Sequence, residues 1–81
     1  MTVVSRQSGS VMIVTPQGRF DTNGGPEVER VLADHIERGA RQIVLDLSQI
    51  EYISSIGLRV IKKAGEWYSA GETIMFVRYS N

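Results

Sequence analysis

Two adjacent serines, Ser54 and Ser55, are the side chains best placed to do chemistry, because they stand where a helical pattern begins behind an apolar run. A hydroxyl at that position has two uses. It can cap the helix by accepting a bond from a backbone N–H that the first turn leaves unpaired, and either serine suits that role. It can also accept a phosphoryl group, since a helix start offers backbone donors and the positive end of the dipole to an anion. Phosphorylation adds roughly −1.5 to −2 charge units at neutral pH and changes what the surrounding face binds. Gly57 fits both uses, because it lets another backbone approach closely at a cost of about 1 kcal/mol in helix propensity.

Other chemistries find fewer of the residues they need. A hydrolase nucleophile elbow requires Gly-x-Ser-x-Gly, and Ile53 occupies the first glycine position before Ser55. Asp46 sits at a strand end like the acceptor aspartate of a receiver domain, but Val11 to Thr15 supply none of the further carboxylates that magnesium needs. The single histidine, His35, falls on the apolar stripe of a helix and reads as a packed or boundary residue. With one histidine and no cysteine, neither a zinc site nor a disulfide framework is expected. Gly24-Gly25 runs into Pro26 where a phosphate loop would need free N–H groups. No catalytic residue, metal or cofactor is therefore assigned.

The elements that must position the serines follow from periodicity. Val11 to Thr15 is rich in β-branched residues and reads as a strand that ends at a Pro16-Gln17-Gly18 turn, with Val3 and Val4 as a weaker hairpin partner through Gln7 to Ser10. After Pro26, the apolar residues Val28, Val31, Leu32, His35 and Ile36 mark one face of a helix that Gly39 stops, with Glu29, Arg30, Glu37 and Arg38 on its solvated side. Ile43 to Leu47 is continuously apolar apart from Asp46 and predicts a central strand covered on both faces. A second helix runs from Ile56 to about Ser69, with Trp67 and Tyr68 as core residues and Arg59, Lys62 and Lys63 on a solvated face or against an acidic partner. Thr73 to Val77 is the last strand. Strand, helix, strand, helix, strand predicts an α/β fold with a small, mostly parallel sheet and right-handed crossover helices. In such sheets, sites form beyond the carboxyl ends of the strands, where both serines fall.

Composition sets the outer bounds. With 81 residues the chain is one domain, and 42% apolar with 22% charged residues suits an ordinary globular protein. Nine basic residues balance nine acidic ones without forming a stripe, which argues against nucleic acid as a partner. No apolar run approaches the length of a membrane span, and a cytoplasmic location is the simplest expectation.

The stretch from Ile43 to Val60, IVLDLSQIEYISSIGLRV, resembles the signature of STAS domains, above all the bacterial anti-sigma factor antagonists. Gly18-Arg19-Phe20-Asp21 resembles the family's turn after its second strand, and the likeness runs from about Val11 to Val77. The resemblance implies a non-enzymatic regulator of transcription that binds an anti-sigma factor, or a related serine kinase, through Asp21, Ser54, Ser55, Ile56, Gly57, Leu58 and Arg59. It implies Ser55 as the phosphoacceptor, with Ser54 where the family has an aspartate. The alternative it leaves is a constitutive STAS module of a transporter complex or signalling scaffold, without phosphorylation. Family members continue with a further helix, so the chain is expected either to be a fragment or to pair as a homodimer through the apolar face left open.

Overall fold

The computed structural model describes residues 1–70 and 74–78, with side chains described for residues 1–63, so the core roles expected of Trp67 and Tyr68 lie outside the described side chains. The element order is β1 (Thr2–Ser8), β2 (Val11–Phe20), α1 (Gly24–Glu37), β3 (Gln42–Asp46), β4 (Ile50–Ile53), α2 (Ser55–Ala70) and β5 (Ile74–Arg78). The sheet runs β1-β2-β3-β5, with β4 paired to the far end of β2. Only β1 is antiparallel to its neighbour; the pairs β2 with β3, β2 with β4 and β3 with β5 are all parallel. The α/β class and mostly parallel sheet are as predicted. Among the described residues, no helix follows β5, and none is long and apolar enough to cross a membrane.

Two departures come from β2. The strand does not stop at Pro16 but continues to Phe20. It pairs with β3 over Val11–Val14 and with β4 over Gly18–Phe20, so Pro16 falls where the strand changes partners and its missing N–H interrupts neither parallel ladder. Gly18, at φ 102°, sits at a register shift rather than in a turn, and its N–H reaches the Gln49 carbonyl at 3.2 Å. The second departure is β4, a four-residue strand that alternation could not reveal: its ends are half-buried, and Glu51 and Tyr52 between them are exposed.

One face of the sheet carries the core. Val14 and Phe20 of β2 and Ile43 and Leu45 of β3 are fully buried against Val28 and Leu32 of α1, with Leu47 and Val60 closing the cluster. Each such side chain contributes roughly 1.5–3 kcal/mol by leaving water. The two helices pack on each other and on this face. The opposite face holds Ile13 and Val44, which are only half-buried, so β3 is not covered on both faces as its apolar run suggested. The α1 helix ends as predicted, with Gly39 at φ 93° turning the chain.

Candidate functional site

The site is assembled where β2 and β4 end side by side. Their register pairs Phe20 with Ile53, so the next residues of each strand, Asp21 and Ser54, leave the sheet at the same end. The Ser54 N–H donates to the Phe20 carbonyl at 3.0 Å, and the Ser54 hydroxyl donates to the same oxygen at 3.3 Å. The same hydroxyl accepts the Gly57 N–H at 3.3 Å, while the Ser54 carbonyl accepts the Leu58 N–H at 3.0 Å. Ser54 is therefore the N-cap of α2 and ties the helix start to β2.

That assignment leaves Ser55 as the first residue of α2, exposed, with no hydrogen bond to its hydroxyl among the described residues. On a helix, residues three and four apart share a face, which groups Ser55 with Leu58 and Arg59. Both are exposed, and Leu58, a large apolar side chain, shows 54% of its surface to solvent. Ile56 is half-buried and Gly57 is buried. A Cβ on Gly57 would lie 2.5 Å from the Phe20 carbonyl oxygen, 2.6 Å from the Phe20 ring and 2.9 Å from Ile53. Glycine is thus what allows the first turn of α2 to rest on the ends of β2 and β4. Gly57 shapes the surface from below.

Asp21 lies across the same edge as a turn aspartate. Its Oδ1 accepts the N–H groups of Asn23 at 3.1 Å and Gly24 at 3.2 Å, and Gly25 N–H donates to its carbonyl at 2.7 Å. It does the capping for α1, because Asn23 makes no side-chain cap. The bond from the Gly24 N–H holds the carboxyl below its ordinary value, aided by Asn23 and Arg19 and opposed by desolvation. Arg19 Nε stands 3.7 Å from Asp21 Oδ2.

Sequence reasoning missed two neighbours. The Arg19 guanidinium lies 4.3 Å from the centre of the Tyr52 ring, a cation–π contact between register partners of β2 and β4. Tyr52 is 45% exposed and stands two residues before Ser54, adding an aromatic surface to the same end of the sheet. No sequence signal marked it, since the pairing depends on a strand too short to read. Arg59, Lys62 and Lys63 are exposed, as expected of a solvated face, and Lys63 also bridges to Glu29 of α1 at 2.7 Å.

Comparison with known proteins extends this description. BtrV of Bordetella bronchiseptica, named as an anti-sigma factor antagonist, is 39% identical over 51 residues, 63% of this chain and 44% of BtrV, so the chain spans less than half the length of that relative. The crystal structure of an anti-sigma factor antagonist from Mycobacterium paratuberculosis superposes with a TM-score of 0.88 at 24% identity, over 99% of this chain and 68% of that one. SpoIIAA in its unphosphorylated form, also an anti-sigma factor antagonist, gives 0.76 at 12% identity, over 94% and 71%. At such identities the structures establish a shared fold. The STAS domain model matches residues 2–77, nearly the whole chain, and this protein belongs to the STAS domain family.

Proposed function

We propose that this STAS domain is a non-enzymatic, cytoplasmic regulator, an anti-sigma factor antagonist that docks an anti-sigma factor on the surface formed by Asp21, Ser54, Ser55, Ile56, Gly57, Leu58 and Arg59. Phosphorylation of Ser55, by that partner or a related serine kinase, releases it. The observation that carries the reading is the contrast between the two hydroxyls. Ser54 is committed to capping α2, whereas Ser55 is exposed beside Leu58. The names of BtrV and the Mycobacterium paratuberculosis protein support the class of partner.

The physical logic of the switch is local. An exposed leucine beside a small hydroxyl offers a contact that sheds water easily. A phosphoryl group on Ser55 sits acceptably on the free chain, near the unpaired N–H groups of the first turn of α2. The same group must be stripped of water when a partner covers it, so it weakens the complex without unfolding the domain. Ser55→Asp in a binding titration against the co-purifying partner is expected to raise Kd at least about tenfold. Unchanged affinity would overturn the switch.

A second reading rests on one observation, that Ser54 leaves no carboxylate immediately before the acceptor. In it, the domain is a constitutive module of a transporter complex or scaffold. Mass spectrometry of protein from its native cell separates the two, since this reading expects no phosphate on Ser55. Under either, self-pairing through the sheet face opposite the helices accompanies the proposal.

A further inference from the structure

Ser55 and Arg59 stand four residues apart at the start of α2, and both are exposed. Residues at that spacing have Cβ atoms about 5–6 Å apart, and an anion placed four positions before a cation is the favourable order. Helical side chains also lean toward the N-terminus, so a long side chain at position 59 covers the turn that Ser55 opens. From this juxtaposition we propose that Arg59 is a built-in clamp for a phosphoryl group on Ser55, its guanidinium held against the phosphate oxygens across the first turn of α2. The clamp rests on the reading of Ser55 as the phosphoacceptor.

The other groups at this end are already engaged. Ser54 Oγ accepts the Gly57 N–H at 3.3 Å, and the Ser54 carbonyl accepts the Leu58 N–H at 3.0 Å. Arg19 lies 4.3 Å from the centre of the Tyr52 ring and 3.7 Å from Asp21 Oδ2, while Lys63 reaches Glu29 at 2.7 Å. Lys62 stands about two turns beyond Ser55. Arg59 itself makes no ion pair among the described residues. The positions three and four away from it on α2 hold Ser55, Ile56, Lys62 and Lys63, so its own helix offers it no carboxylate. A phosphoryl group on Ser55 supplies the missing anion.

A guanidinium presents paired N–H groups that match two phosphate oxygens, which an ammonium cannot do. The clamped pair spans the turn that carries Leu58, three residues after Ser55 and 54% exposed. Modification then changes the docking surface at three points. It adds charge at Ser55, lays an ion pair beside the apolar Leu58, and withdraws Arg59 from any carboxylate of a partner.

The test uses the whole chain with phosphoserine installed at position 55 during translation, and follows its ³¹P resonance against pH. The second pKa of phosphoserine is ordinarily about 6. Arg59→Gln is expected to raise the value found in the parent by about 0.5, a threefold change in proton affinity, and Arg59→Lys by about half as much. The carboxylates of the adjoining strands, Asp21 and Glu51, oppose the dianion equally in every chain compared. Arg19→Gln and Lys62→Gln should leave the value nearly unmoved, and the Arg59 Nε–H resonance should follow the phosphate titration. The substituted residues are exposed, and ¹H–¹⁵N spectra show that the variants are folded. An unchanged value in Arg59→Gln, or an equal rise in Lys62→Gln, would overturn the clamp. Neither kinase nor partner enters this measurement, so its failure is distinct from failure of the docking reading, which the Ser55→Asp titration tests.

Discussion

Asp21 shows how a single carboxylate links a strand end to a helix start. Its ionised form is stabilised chiefly by the Gly24 N–H, so its pKa in the folded chain lies below that in the unfolded one. A group shifted in that direction adds stability that is fully present above the unfolded value, about 3.9, and is lost as pH falls through the folded value. Urea midpoints of the parent chain should therefore decline as pH drops from about 5 toward 3. Asp21→Asn should be less stable at neutral pH and lose less on acidification, the remainder coming from groups such as Glu27, whose carboxyl Arg30 also holds low. Identical pH slopes for the two chains would show that the turn bonds contribute nothing. Which of Ser54 and Ser55 caps α2 was not legible at this scale. Either hydroxyl reaches the first turn, and the choice is made by the Phe20 carbonyl, which lies far away in sequence.

At the scale of elements, the legible ones were α1, whose apolar residues recur along the chain, and β2 and β3, whose runs of branched apolar residues are bounded by turn signals. The stripe of α1 and the alternating interior of β2 and β3 each show a face pressed on the core. β4 stayed hidden because four residues give no period, and β2 was cut short because a proline usually ends a strand unless a change of partner excuses it. The junction these two strands create gives Gly57 its value. Alanine there would gain about 1 kcal/mol in helix propensity but must push back a backbone carbonyl and a buried ring. Overpacking of that kind costs about 1–3 kcal/mol, more where the obstacle is backbone. Gly57→Ala should accordingly lose about 2 kcal/mol net, a fall in Tm of roughly 10 °C at this chain length, read by circular dichroism. An unchanged or higher Tm would mean that α2 does not rest on Phe20 as described.

At the scale of the whole molecule, the sheet is covered on one side only among the described residues, and sequence could not show this because an apolar run reads alike whether one or both faces are packed. The register sets Ile13 beside Val44 on the open side, with Arg6 flanking Ile13 and Val4 beside Thr15. Val4 is 44% exposed, and a chain this small has little other apolar area with which to add stability. A second copy laid on that face would bury these valines and Ile13, and the transition would then depend on protein concentration by mass action. Arg6 sets a limit on the pairing, since a two-fold arrangement brings like charges near each other, so moderate salt should strengthen it. Sedimentation velocity over a hundredfold concentration range is expected to show a shift from monomer to dimer, which Val4→Lys abolishes while leaving the far-ultraviolet spectrum unchanged. A single monomeric boundary at every concentration, with a Tm independent of dilution, would rule out self-pairing and leave the open face without a partner of its own kind.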